Sequence, residues 1–250
     1  QQNQLFDRLD SLKNKQAKAQ SLENILKNHS NFYAGVKTVL QEKIRLGGII
    51  GAVSEHLTFD VRYQTALEIA LGASSQHIIV EDEQAATKAI DFLKRNRAGR
   101  ATFLPLTTIK ARSISGQNQD VIASSPGFLG MADELVTFDA KHEAIFKNLL
   151  ATTAIFDTVE HARDAARKVR YQVRMVTLDG TELRTGGSYA GGANRQNNSI
   201  FIKPELEQLQ KEIAQEEKLL RQEEENLKSV QEALTALTQT LETIKFQGEQ

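Results

Sequence analysis

Residues 48–60 read Gly-Ile-Ile-Gly-Ala-Val-Ser-Glu-His-Leu-Thr-Phe-Asp, and residues 127–139 read Gly-Phe-Leu-Gly-Met-Ala-Asp-Glu-Leu-Val-Thr-Phe-Asp. Six of these thirteen positions are identical: Gly48/Gly127, Gly51/Gly130, Glu55/Glu134, Thr58/Thr137, Phe59/Phe138 and Asp60/Asp139. The downstream patterns agree as well. Each copy is followed by a helix pattern (63–71, 142–150), a short apolar run (78–80, 155–156), a longer helix pattern (83–95, 160–169) and a second apolar run (101–104, 174–177). Self-similarity followed by the same order of alternating strands and helices predicts a globular middle made of two copies of one mixed α/β unit. The expected core is Ile49, Ile50, Leu67, Ile78, Phe103, Phe128, Leu149 and Phe156, and the polar stretch 113–126 is expected to link the copies.

The flanks have a different period. From Leu5, positions seven apart read Leu5, Leu12, Ala19, Leu26, Tyr33 and Leu40, with Leu9, Leu22 and Val36 filling the alternate seam imperfectly. At the other end Leu206, Ile213, Leu220, Leu227, Leu234 and Leu241 hold one seam position, while Leu209, Val230, Leu237 and Ile244 hold the other, interrupted by Glu216 and Glu223. A sustained seven-residue apolar repeat is buried best by supercoiling with a partner helix. Pro204 suits the first turn of the second arm, and Gly35 with Gly47-Gly48 brackets the end of the first. Residues 1–43 carry seven Lys/Arg against four Asp/Glu, and 204–250 carry five against 11, so the ends have opposite charge. The simplest arrangement pairs the arms with each other as an antiparallel coiled coil; an amphipathic helix packed on the globular middle is the plainer alternative. The chain begins and ends inside helical patterns, as a piece of something longer would.

Composition excludes much. With no cysteine, disulfide frameworks, thiol nucleophiles and Cys-ligated zinc are ruled out, and a reducing, cytoplasmic setting is the expectation. No apolar run approaches the length of a membrane span, and a formal net charge of -1 demands no polyanionic partner. The five histidines show no metal-ligand spacing, so no metal is expected; Ser113, Ser115, Ser124 and Ser125 lack a nucleophile-elbow setting; and Glu81, Asp82 and Glu83 precede a helix whose dipole favours acids there. No catalytic constellation emerges. A small-molecule α/β enzyme with coiled-coil oligomerisation arms is the rival reading.

Five glycines fall between 180 and 192. Gly187 and Gly192 have phosphate-loop spacing, but Ala193 and Asn194 stand where Lys and Ser/Thr belong, which argues against a nucleotide. A mobile loop is the bland reading. The basic clusters Lys94, Arg95, Arg97, Arg100 and Arg167, Lys168, Arg170 end helices, where positive charge is stabilising. Lys37, Lys43, Arg45, Arg195 and Lys203 form a second basic group near the arm junction.

Ala66-Leu67-Glu68-Ile69-Ala70-Leu71-Gly72, Gln76-His77-Ile78-Ile79-Val80 and Gly99-Arg100-Ala101-Thr102-Phe103-Leu104-Pro105-Leu106 together resemble the first half of a hinge domain of the bacterial SMC (structural maintenance of chromosomes) family. Val176-Thr177-Leu178-Asp179-Gly180, followed by Gly-Gly-Ser-Tyr-Ala-Gly-Gly at 186–192, resembles that family's glycine-rich signature. The resemblance implies an α+β fold of two related halves flanked by an antiparallel coiled coil. The expected layout is an N-terminal arm over 1–34, a hinge over 35–203 (halves about 44–112 and 127–203) and a C-terminal arm over 204–250. It implies a non-enzymatic homodimerisation module that joins two protomers into a ring or clamp around DNA in chromosome condensation and segregation. Gly186, Gly187, Ser188, Tyr189, Gly191 and Gly192 would lie at the dimer contact. Lys37, Lys43, Arg45, Arg195 and Lys203 would bind DNA weakly through phosphates. ATP with Mg, and kleisin-type partners, would belong to head domains outside this chain, and the protein would be nucleoid-associated. A zinc-hook relative would need Cys-x-x-Cys, which is lacking.

Overall fold

A computed structural model describes residues 2–193 and 200–248. The chain divides into two compact units, Gln1–Asn24 with Glu205–Gln250, and Ile25–Pro204.

In the first unit, α1 (Gln2–Asn28) runs antiparallel to α9 (Ile202–Gly248). Leu12, Ala19 and Leu22 are buried on one side of the seam, Leu206 and Leu209 on the other. The charged interruptions face one another. Arg8, Lys15 and Leu22 share one heptad position, and Glu223, Glu216 and Leu209 share one on the other helix. Arg8 lies 2.7 Å from Glu223 and Lys15 Nζ donates to Glu216 at 2.5 Å. Polar pairs inside an apolar seam specify register, because a slip by one repeat would set either Lys15 opposite Leu209 or Glu216 opposite Leu22. With 47 residues α9 outruns the 27 of α1, and Val230, Leu234, Leu237, Leu241 and Ile244 are exposed.

α1 stops earlier than the heptad pattern predicts. His29 adopts a left-handed conformation (φ 50°), Ser30 N–H reaches the Ile25 carbonyl and His29 N–H that of Leu26, a Schellman ending. Tyr33 and Leu40 therefore do not continue the arm seam: Leu40 belongs to α2 (Ala34–Gln41), whose buried face packs on the globular core. Gly35 does not end the arm either; it lies in the first turn of α2, where the Arg100 backbone leaves no room for a Cβ.

In the second unit, α3 (Lys43–Leu46), β1 (Ile49–Ala52), β2 (Thr58–Phe59), α4 (Gln64–Leu71), β3 (Ile78–Val80), α5 (Glu83–Asn96) and β4 (Phe103–Pro105) complete the first copy with α2. The second copy is α6 (Gly116–Ala123), β5 (Phe128–Met131), β6 (Val136–Thr137), α7 (Glu143–Leu150), β7 (Thr153–Phe156), α8 (Val159–Lys168) and β8 (Arg174–Thr177), followed by β9 (Glu182–Leu183) and β10 (Tyr189–Ala190). In each copy a central strand pairs antiparallel with the copy's first strand and parallel with the strand that comes next in the chain: β1-β3-β4 and β5-β7-β8.

Three of the identical pairs do the same work in both copies. Gly51 and Gly130 both sit at φ +152°, each at a bulge that shifts the strand register, a conformation that L side chains rarely adopt. Asp60 and Asp139 each accept a backbone N–H two residues ahead, at 2.9 Å from Arg62 and Lys141, opening the next helical turn. Thr58 pairs with Thr137 and Phe59 with Val136, so the two copies of the motif join each other as a two-stranded ribbon.

The stretch expected to be a mere linker contains α6, which opens on the Ser115 hydroxyl and buries Ile122 completely. It packs on α8 and β5 as α2 packs on α5 and β1, so it is the first helix of the second copy. Of the expected core, Ile49, Leu67, Ile78 and Phe156 are buried, whereas Ile50, Phe103, Phe128 and Leu149 are partly covered. One apolar cluster around Leu67, Phe146 and Phe201 spans both copies. Each fully buried side chain of this size contributes about 2 kcal/mol of transfer free energy, so the shared cluster binds the copies strongly.

Candidate dimer interface and basic junction

The second copy departs from the first at its outer edge. The five-stranded sheet has the order β10-β9-β8-β7-β5, so the hairpin β9–β10 adds two strands beyond β8, while the first sheet ends at β4. The hairpin exists because residues 184–188 form a closed turn: Arg184 N–H donates to the Ser188 carbonyl at 2.8 Å, and Gly187 N–H to the Arg184 carbonyl at 3.0 Å. Gly186 N–H also ties the turn to the Tyr171 carbonyl at 3.0 Å.

All six residues expected at a dimer contact lie in or beside this hairpin. Gly186, Gly187 and Ser188 make the turn, half-exposed Tyr189 is in β10, and Gly191 and Gly192 follow it. Glycine is needed for different reasons. Gly186, Gly187 and Gly192 have φ of +86°, +96° and +129°, so a side chain there is strained whatever the space. Gly191 has no such φ, and its Cβ would meet Thr181 Oγ1 at an ordinary 3.5 Å. Nothing within the described residues requires glycine at 191. Tyr171 supports the edge: its hydroxyl hydrogen-bonds that of Tyr189 at 2.8 Å, which raises the Tyr189 pKa, and the rings meet edge to face. Gly187–Gly192 contains the strand β10 rather than opening a helix, so the segment does not fit a nucleotide's phosphates.

Glu182, on β9, was not singled out from sequence. Arg174 Nε donates to its Oε1 at 2.8 Å, and Arg184 lies 3.2 Å from the same oxygen. Burial would push the carboxyl up, but the Arg184 and Arg174 charges and hydrogen bonds outweigh it and hold the pKa below the ordinary range. Arg174 also donates to the Ala70 carbonyl at 2.7 Å and the Ile69 carbonyl at 2.9 Å.

The basic group divides. Lys43 Nζ donates to the Ile50 carbonyl at 2.7 Å, and exposed Lys203 stands in the first turn of α9. Both act on His56, whose pKa is lowered first by burial, then by His142, Lys203 and Lys43; the His56 and His142 rings meet edge to face at 5.5 Å. Arg45 is engaged elsewhere, by Glu42 at 3.6 Å and by the Phe92 ring, and Lys37 lies half-buried on α2. Arg195 lies outside the described residues. The helix-end basic clusters do what the dipole requires: Lys94 and Arg95 occupy the last turn of α5, Arg167 and Lys168 that of α8. Asp82 caps α5 by accepting Ala85 N–H at 2.8 Å. Among the described residues no group of His, Asp or Glu is placed to hold a metal ion, and no helix is long and apolar enough to cross a membrane.

Residues 46–166 match the family model of the SMC proteins' flexible hinge domain. The chromosome partition protein Smc of Bacillus subtilis is 43% identical over 209 residues, 83% of this chain and 18% of the relative. That of Lactiplantibacillus plantarum is 38% identical over 205 residues, 82% of this chain and 17% of the relative. The chain thus spans less than a fifth of these curated relatives. Among solved structures, the asymmetric dimer of the Geobacillus stearothermophilus SMC hinge domain superposes with a TM-score of 0.82 at 37% identity, covering 88% of each chain. The Pyrococcus furiosus SMC hinge domain gives 0.54 at 28% identity, covering 73% of this chain and 92% of that one.

Proposed function

On the footing that this chain belongs to the SMC hinge domain family, we propose that it is the homodimerisation hinge of a chromosome partition protein, holding two protomers' coiled-coil arms together. The observation that carries this is the asymmetry between the copies: the second sheet is extended by a hairpin ending in the edge strand β10, while the first ends at β4, on the side where its counterpart β8 receives β9. An exposed edge is a template for a strand from another chain. By register, Thr102, Phe103, Leu104 and Pro105 correspond to Arg174, Met175, Val176 and Thr177. Thr177 donates its N–H outward to Thr181; Pro105 has none to give, so pairing at β4 is short and the glycine turn supplies the rest of the contact. In this reading β10 and its glycines meet the first copy of the partner, and the two symmetric contacts close a ring of two hinges.

The hinge would then close a ring or clamp around DNA. ATP, Mg and kleisin-type partners would be handled by head domains outside this chain, and the work of this segment is assembly rather than catalysis. Weak, sequence-independent DNA binding at Lys43 and Lys203, with Lys37, Arg45 and Arg195 contributing, fits charge placed at the base of the second arm. The arm and hinge limits at 34/35 and 203/204 belong to the same proposal, as does a cytoplasmic, nucleoid-associated setting. Sedimentation across a concentration series tests the dimer. Filter binding to duplex DNA across a salt series tests the phosphate contacts: affinity falling with salt, and falling further in K43A/K203A, supports them, whereas a salt-independent affinity removes them.

A further inference from the structure

We propose that Arg174 is the positioning residue of the dimer edge, a clamp through which the first copy of the fold sets where the β9–β10 hairpin lies. The inference rests on the dimer reading above and goes beyond it by naming what holds the contact strand.

Arg174 stands on β8 and uses its guanidinium in two directions. Two nitrogens donate to the Ile69 and Ala70 carbonyls, in the last turn of α4 of the first copy, at 2.9 and 2.7 Å. A helix end leaves such carbonyls without intrahelical partners, and a cation there complements the helix dipole. The third nitrogen donates to Glu182 at 2.8 Å. Glu182 lies on β9 between Val176 of β8 and Ala190 of β10, and its carboxylate is also held by Arg184, the residue that closes the glycine turn. A continuous path of charge-assisted hydrogen bonds therefore runs from α4 through Arg174 and Glu182 to Arg184 and the turn. The turn between β8 and β9 rests on the same helix, since a Cβ at Gly180 would touch Thr65 at 3.1 Å and Ile69 at 3.6 Å.

Comparison of the copies supports the assignment. The register position of Arg174 is held in the first copy by Thr102, which cannot clamp, and the first copy has no hairpin. The clamp accompanies the element that it orients. Guanidinium is the side chain suited to this task because its planar fork serves several acceptors at once; lysine offers one ammonium.

The experiment must separate orienting the hairpin from merely stabilising the fold, because R174M alone leaves the buried Glu182 carboxylate with Arg184 in place of two guanidinium partners. R174M/E182M removes both charges, a replacement that costs little stability. Sedimentation equilibrium, urea unfolding and hydrogen exchange of residues 182–190 would be measured on the full chain. The expected result for the double variant is a native urea midpoint, faster exchange at Tyr189 and Ala190, and a dimer dissociation constant raised about tenfold or more. R174K should fall between. A double variant with a native midpoint and native dimer affinity would overturn the positioning role, as would affinity and midpoint lost together and restored together. A wild-type chain that stays monomeric would instead sink the dimer reading, and unchanged exchange in the variant would then sink the clamp separately.

Discussion

Gly191 separates two explanations that the other glycines confound. At Gly186, Gly187 and Gly192 the positive φ alone demands glycine, so substitution there strains the chain by roughly 1–2 kcal/mol per residue whether or not a partner is present. At Gly191 neither conformation nor a neighbour among the described residues forbids a side chain. G191V should therefore leave the urea midpoint within about 0.5 kcal/mol of native while weakening the dimer, as read by light scattering with circular dichroism as the folding control. Full dimerisation of a folded G191V would remove residue 191 from the contact. Glycine density makes the segment visible in the sequence; it does not show which glycines serve backbone conformation, since φ is set by the turn that Arg184 and Ser188 close.

His56 makes a pH prediction at the same scale. Burial, with His142, Lys203 and Lys43, lowers its folded pKa below the ordinary 6.5, so the unfolded chain binds the proton first. Stability from neutral His56 is thus fully present above pH 6.5 and is lost as pH falls through the folded value. His77, lowered by burial, acts in the same direction. Urea midpoints between pH 7.5 and 5 should fall, and H56Q should flatten the decline; an unchanged slope in H56Q would contradict the assignment. Neither histidine of the pair stood out in sequence, because they lie in different copies and meet only when the Thr58–Thr137 ribbon forms.

Among the elements, the arms show what periodicity predicts and where it stops. The seven-residue repeat implies both helices and, with their opposite charges, an antiparallel pairing, whereas Glu216 and Glu223 look like defects in sequence because Lys15 and Arg8 face them only once the arms pair. Cysteines replacing Leu22 and Leu209, which share the seam positions next in that series, should crosslink within one chain at low protein concentration; crosslinked dimers alone would show that the arms pair between chains. The end of α1 was not legible because it depends on His29 in a left-handed conformation, with neither glycine nor proline to mark it. α6 was hidden for a related reason: eight residues with a single fully buried position carry almost no periodic signal. I122A should cost about 2–4 kcal/mol, in keeping with cavity formation in a closed core, and a loss below about 1 kcal/mol in urea unfolding would mean that α6 is not an integral part of the second copy.

For the whole molecule, duplication accounts for the symmetric part of the fold and its breakdown marks the proposed dimer edge. Two copies share bulge glycines, aspartate caps and strand order, and their common core around Leu67, Phe146 and Phe201 joins them without any contact from another chain. What the first copy lacks, the hairpin with its glycine turn and an arginine in place of Thr102, is what a partner would need. The repeat could be read from thirteen residues; the asymmetry could not, because β9 and β10 are only two residues long each and are defined by pairing rather than by pattern. Sedimentation equilibrium of the full chain, compared with a variant carrying bulky residues at Gly186, Gly187, Gly191 and Gly192, tests the central claim most directly. The account predicts twice the chain mass for the native protein at micromolar concentration and a folded monomer for the variant; a native chain that remains monomeric, or a folded variant that remains fully dimeric, would contradict it.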